Sequence, residues 1–255
     1  MKAPAFDYVR VTTVTEACAM LTEHGPDARI LAGGQSLLPA MNLRLASPSV
    51  LIDIGRVAGL DGIALRDGVL RIGALVRHET ALRNPLVAGH IPLLTEALRH
   101  VAHPAIRARG TIGGNLAHAD PASELPACMV ALEAVIEATS PLGVRRIPAV
   151  AFFTGLFQTA LEANEILTSI EIPVSGRPWF FQEIARRSGD YAIVGLAAVG
   201  DRLAFFSVGD RPVLRLAGAP LDLDPPNDLQ ATAAMRVHLA EVLRGRALAA
   251  LGVAA

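Results

Sequence analysis

Apolar and polar positions along this chain change period several times, and each change marks an element. Thr13-Val14-Thr15-Glu16 has the spacing of a capping box, and the pattern after it predicts a helix over about Val14 to His24 that stops at Gly25. "ARILAGG" predicts a strand over Ala28 to Ala32 that runs into two glycines, and "SVLIDIG" a second strand over Ser49 to Ile54. In "GIALRDGVLRIGA" two alternating runs meet at Asp67-Gly68, a strong hairpin signal. "HIPLLTEALRHVA" predicts a helix with Pro92 in its first turn and His100 at its C-terminal end. "RARGTIGGNLAHADPASELPACMVALEA" reads as a second glycine-rich turn, a polar loop and a helix over about Glu124 to Glu133. "AVIEATSPLGVRRIPAV" predicts strand, turn and strand, and "ILTSIEIPV" another strand. "SGRP", Ser175 to Pro178, marks a boundary. Beyond it, "WFFQEIARR", "YAIVGLAAVG", "RLAFFSV" and "VLRLAG" predict a small antiparallel sheet. "PLDLDPPNDLQ" is a connector, and one helix is expected from Asp228 to about Leu251. No internal repeat is visible, and the class is α+β.

Composition narrows the function. Of 255 residues, 52% are hydrophobic, enough for a sizeable core. The net charge of −1, without blocks of like charge, argues against nucleic acid as a partner. No apolar run reaches the roughly 18 residues of a transmembrane segment, and "MKAPAFDYVR" has no signal-peptide core. A cytoplasmic location is expected. Cys18 and Cys128 form no C-x-x-C, which speaks against a cysteine-held iron–sulfur cluster or zinc ribbon within the chain. Lys2 is the only lysine, so neither a lysine-bearing phosphate loop nor a Schiff-base lysine in the body of the fold is available.

The candidate chemistry then reduces to a few places. Gly34-Gln35-Ser36 begins like a nucleophile elbow, but Leu38 stands where the second glycine is needed. His100-x-x-His103 and His118-x-Asp120 hold ligand atom types without a third ligand at metal spacing. No G-x-G-x-x-G occurs. Two separate glycine pairs remain, Gly33-Gly34 and Gly113-Gly114, flanked by Gln35, Ser36, Thr111 and Asn115. Glycine lets backbone N–H groups come close to phosphate oxygens, and hydroxyl and amide side chains add donors. Together the pairs suit a diphosphate held without lysine. Each could also be a plain turn. The apolar run from Leu37 onward is expected to anchor the first pair in the core.

"AGGQSLLPAMNLRLASP" (Ala32 to Pro48) and "RGTIGGNLAHADPASELPA" (Arg109 to Ala127) resemble the two signatures of the FAD-binding, or medium, subunit of molybdenum hydroxylases of the carbon monoxide dehydrogenase and xanthine dehydrogenase type. "LIDIGRVAGLDGI", the stretch from Leu70 to Leu82, "IPAVAFFTGLFQTALEANEILTSIEIP" and "RRSGDYAIVGLAA" extend the likeness over most of Phe6 to Val199. The resemblance implies a two-lobed FAD-binding domain of the vanillyl-alcohol-oxidase (PCMH) type over residues 1–175, with lobes of about 1–56 and 57–175. A small, shortened C-terminal α+β domain follows over 176–255. It implies that Ala32, Gly33, Gly34, Gln35, Ser36 and Leu37 hold the FAD diphosphate together with Thr111, Ile112, Gly113, Gly114 and Asn115. His118, Asp120, Glu124, Leu167 and Tyr191 would line the rest of the cofactor site. No residue is expected to be catalytic and none to bind metal. The implied role is electron transfer. A large partner subunit would carry the molybdenum cofactor, a small one two [2Fe-2S] clusters, and two such heterotrimers would pair. The family often has a lysine around Gln182-Glu183, and this chain has none. A stand-alone flavin-dependent oxidoreductase of the same fold and a cofactor-free assembly subunit remain as alternatives.

Overall fold

The computed structural model describes residues 2–253. β1 (Asp7–Arg10), α1 (Val14–His24), β2 (Ala28–Leu31), α2 (Leu37–Asn42) and β3 (Val50–Asp53) make a first lobe. Its strands are parallel in the order β1-β3-β2, with Arg10 and Leu31 both in register with Asp53. Their carboxyl ends therefore share one edge, where parallel sheets commonly receive ligands. α1 starts as its spacing predicts. Thr13 Oγ1 accepts from Glu16 N at 3.1 Å, and Glu16 Oε2 accepts from Thr13 N at 3.2 Å. Its Ala17, Cys18 and Leu21 pack against Ala28, Val50 and Ile52.

The second lobe begins with β4 (Ile63–Arg66) and β5 (Val69–Gly73), joined at Asp67-Gly68 with Arg66 opposite Val69. Short helices follow: α3 (His78–Arg83), α4 (Pro85–His90), α5 (Pro92–His100), α6 (Pro104–Arg107), α7 (Ile112–His118) and α8 (Glu124–Ala131). Then come β6 (Val135–Ser140), β7 (Gly143–Pro148), α9 (Ala149–Phe152), β8 (Phe153–Gly155), β9 (Gln158–Thr159) and β10 (Ile166–Pro173). β4-β5-β10-β6-β7 form one antiparallel sheet. In β10, Leu167 faces Ala138 while Ser169 already faces Glu137, so Thr168 is the extra residue of a bulge. The freed Thr168 carbonyl accepts from Ala74 N at 2.9 Å.

The last sheet is a meander of β11 (Trp179–Ile184), β12 (Val194–Val199), β13 (Arg202–Phe206) and β14 (Val213–Leu216), followed by α10 (Ala233–Leu251). α10 starts later than expected. Thr232 Oγ1 caps it by accepting from Met235 N at 3.2 Å, while Asp228 is used in a turn before it. All six residues of β12 are buried, because both faces are covered. Val194, Leu196 and Ala198 share a core with Leu243 and Ala247 of α10. Ala197, Val199, Ala204 and Phe206 join the core of the second lobe around α8. Every residue of α8 is buried, as befits a helix that is apolar nearly all round.

Candidate cofactor site

The first glycine pair lies just past the carboxyl end of β2. Gly34 has φ +73°, a left-handed turn that favours glycine. Gln35 Nε2 closes the turn on the Gly33 carbonyl at 3.1 Å. The backbone N–H groups of Gly33, Gly34, Gln35 and Ser36 donate to no acceptor among the described residues. Four successive free donors ahead of a helix form an anion-binding concavity. The apolar run behind them anchors less than the sequence suggests. Met41 is fully buried, but Leu38, Leu43 and Leu45 are exposed, Leu45 to 80%. A helix of only six residues has one inward face, and Met41 fills it.

The second glycine pair is not a turn. Gly113 and Gly114 lie inside the first turn of α7, which Thr111 caps through Oγ1 to Gly114 N at 3.0 Å. Packing explains glycine here against its poor helix propensity. A Cβ on Gly113 would lie 2.5 Å from Ala74 Cβ, and Ile112 N and Gly113 N donate to Val76 O and Ala74 O, each at 2.9 Å. Below sits buried His78, whose Nε2 is 3.0 Å from Thr111 O. Burial pulls the imidazole down to about 4, so the neutral ring with Nε2–H as donor is the working form.

The two segments meet. A Cβ on Gly33 would sit 2.5 Å from Arg109 O and 2.9 Å from Gly110 Cα, and one on Gly114 3.6 Å from Ala32 Cβ. A cleft of about 280 Å³ opens at this junction, lined by Ala32, Gly33 and Gly34 with Arg10, Arg56, Arg77 and Arg109. Burial, then the neighbouring charge of Arg109, pull the Arg77 guanidinium below its ordinary value, while Asp53 in the same cleft opposes the shift. The sequence reading missed these arginines and Gly110. The run "RARG" directly before Thr111 was the available signal.

The remaining expected residues form a second group. Asn115 Nδ2 and Oδ1 are paired with Ser123 Oγ at 2.8 and 3.0 Å, which ties α7 to the start of α8. His118 is half-buried, its ring 5.0 Å from that of Phe157, and burial lowers its pKa. Asp120 Oδ1 accepts from Ala122 N at 2.9 Å. Glu124 is only 7% exposed, and burial raises its carboxyl to about 8, with the charges of Glu183 and Asp120 adding to the effect. Tyr191 is largely exposed, yet partial desolvation, then Asp120 and Glu124, push its phenol up to about 12. Its loop rests on the second lobe at Gly189, where a Cβ would meet His103 Cε1 at 2.7 Å. Leu167 stands apart in the core beside the β10 bulge, 4% exposed. Glu183 and His100 belong to the second group, with His100 Nδ1 3.1 Å from Glu183 Oε1, and no sequence spacing announced that pair.

A profile of the family described as FAD binding domain in molybdopterin dehydrogenase matches residues 4–175. The nicotine 6-hydroxylase medium subunit of Paenarthrobacter nicotinovorans is 45% identical over 199 residues, 78% of this chain and 70% of the relative. The caffeine dehydrogenase subunit beta of Pseudomonas sp. (strain CBB1) is 39% identical over 261 residues, 95% of this chain and 86% of that one. Among solved structures, carbon monoxide dehydrogenase from Hydrogenophaga pseudoflava superposes with TM-score 0.92 at 35% identity, covering 98% of both chains. Quinoline 2-oxidoreductase from Pseudomonas putida 86 gives TM-score 0.92 at 37% identity, covering 99% of both. The open amides, the glycine-lined junction and the arginine cleft fit a dinucleotide diphosphate. The chain belongs to the family of FAD-binding domains of molybdopterin dehydrogenases, the flavoprotein components of molybdenum hydroxylases.

Proposed function

We propose that this chain holds FAD between its two glycine segments and passes electrons from the [2Fe-2S] clusters of a small partner subunit to an external acceptor. The organic substrate would be oxidised at a molybdenum cofactor on a large partner subunit. The medium-subunit relatives support that division of labour. Two heterotrimers would associate in the cytoplasm. Among the described residues no helix is long and apolar enough to cross a membrane. The functional division is a cofactor domain over 1–175, with lobes of about 1–56 and 57–175, and a C-terminal domain over 176–255.

The observation that carries this reading is the junction at Gly33. Four unpaired amides (Gly33 to Ser36) belong to the segment that meets Arg109 and Gly110 at Gly33 and Gly114 at Ala32. Ala32 to Leu37 and Thr111 to Asn115 would hold the diphosphate. His118, Asp120, Glu124 and Tyr191 would face the flavin end, and Leu167 would pack behind it. The flavin supplies the redox chemistry when bound. The chain's part is to place it and to set the charge around it. Purified chain should therefore be yellow and release FAD rather than FMN. Gly34→Val combined with Gly114→Val should remove flavin binding with far-UV circular dichroism unchanged. A colourless chain that ignores added FAD refutes the reading.

A further inference from the structure

One exposed aromatic side chain stands on a backbone that resists it. β8 and β9 are joined by Leu156-Phe157, with Gly155 in register with Gln158. Phe157 has φ +53°, a left-handed conformation that turns normally give to glycine or asparagine. Among the described residues it is the only aromatic of the eight non-glycine residues with positive φ. For so bulky a side chain that conformation is a genuine outlier. Packing does not account for it. Phe157 is 51% exposed and its neighbour Leu156 56%, and neither joins a hydrophobic core. The hairpin behind the tip is braced instead. Arg211 Nη1 donates to Thr154 O, and Ala160 N to Phe152 O, each at 2.8 Å. Backbone strain persists where the surroundings over-determine it, and such positions gather at ligand contacts.

The tip lies at the far end of α7. The Phe157 ring centroid is 5.0 Å from that of His118, the last residue of that helix, with the planes tilted by 41°. Ala119, the next residue, caps α7 at φ +51°, so a second left-handed non-glycine residue adjoins the contact. The first turn of α7 meets Ala32 through Gly114. At a rise of about 1.5 Å per residue, this seven-residue helix sets His118 roughly 10 Å along its axis from that junction. A ribityl arm bridges such a distance between a diphosphate and the ring it carries. Asp120, two residues past His118, also neighbours the phenol of Tyr191, the other exposed aromatic of that end.

We propose that Phe157, backed by His118, is a cofactor-contact residue, and that its turn is held strained to present the ring to the flat flavin ring system. The proposal rests on the FAD reading above and adds one residue to it. Aromatic side chains attract a second flat ring by offset stacking or edge contact. An ordinary surface hairpin would carry glycine or asparagine at this position and lose nothing by it. A partner protein seated on the same tip would also need Phe157, and the experiment separates that case from cofactor contact.

The test uses the full chain, freed of cofactor and titrated with FAD or with ADP, which shares the diphosphate and lacks the flavin. Phe157→Gly removes the ring and suits the left-handed backbone, so the cofactor-free chain should melt at the wild-type temperature or higher. FAD binding should nevertheless weaken roughly tenfold, with ADP binding unchanged and the visible circular dichroism of bound flavin altered. Phe157→Asn, whose side chain also tolerates this backbone, should behave alike. Phe157→Tyr keeps the ring and should retain FAD affinity. A lower melting temperature with wild-type FAD affinity makes the ring ordinary packing and overturns the contact. Wild-type FAD affinity with lost partner association assigns the tip to a protein and overturns it too. Equal weakening for FAD and ADP moves the effect to the diphosphate cradle and overturns it likewise. In these three cases the FAD reading stands. A wild-type chain that binds no FAD overturns both.

Discussion

Gly33 lacks a side chain because the Arg109 carbonyl already occupies the place of its Cβ. Gly33→Ala must move that carbonyl or the turn, an overpacking that costs about 1–3 kcal/mol. We expect urea unfolding to report the loss, and flavin-fluorescence titration to report at least tenfold weaker FAD binding, because the two segments are forced apart. His78 acts on the same junction from below. Its pKa is about 4 in the fold and 6.5 as an ordinary imidazole, so the folded chain prefers the neutral ring. The unfolded chain binds more protons between these values, and stability therefore falls as pH drops from 6.5 to 4. The full difference is about 3 kcal/mol. Arg77 and Arg107 facing the ring add to the cost of charging it, while Thr111 O opposes it. His78→Gln should flatten the pH dependence of the melting temperature over that window, whereas an unchanged slope would refute the assignment.

At the scale of elements, the periodic parts were readable. The capping box at Thr13, the hairpin at Asp67-Gly68 and the meander from Trp179 to Leu216 follow from local rules that packing did not override. α7 was not readable, because Gly113-Gly114 looks like a turn to any local rule. The approach of Ala74, just past the end of β5 and bonded through its N–H to the Thr168 carbonyl at the β10 bulge, explains why glycine is tolerated in that helix. The same limit applies to the run after Leu37, where hydrophobicity alone does not say which residues face inward. Of the site, the two glycine pairs were visible as letters. Their contact at Gly33 and Arg109 was not, since those residues are distant in sequence and joined only by the fold. Gly195 makes the point once more. It pairs with Phe206 across the β12-β13 ladder, and the Phe206 ring lies over it where a Cβ would stand. Gly195→Val should displace the ring and cost about 2–3 kcal/mol in urea unfolding. Phe206→Leu in the same background should recover part of that loss, and a double-mutant cycle with no coupling would refute the pairing.

At the scale of the whole molecule, the sheet from Trp179 to Leu216 is not an appendage. α8 belongs to the cofactor domain by sequence, yet its buried surface is closed on one side by Ala197, Val199, Ala204 and Phe206. Polar contacts follow the same seam. Arg202 Nη2 donates to Val130 O at 3.0 Å, and Arg177 pairs with Glu133. Removing residues 176–255 would expose one face of α8 together with the apolar flank of α5 that meets Phe181. At about 1.5–3 kcal/mol for each large side chain uncovered, the loss approaches roughly 10 kcal/mol, as large as the entire stability of a typical domain. The family profile ends at residue 175, but a chain ending there should not fold independently. We expect residues 1–175 expressed alone to be insoluble or to bind a hydrophobic dye strongly, and co-expression of residues 176–255 to restore a soluble, FAD-binding pair. Soluble, cooperatively melting 1–175 would refute this. The seam also brings polar side chains together, since Glu124 and His100 come from one side of it and Glu183, held by His100 at 3.1 Å, from the other. Burial of the carboxyl pair requires the two sides to be closed together, so any variant that loosens the seam should lower the pKa of Glu124 before it unfolds the chain.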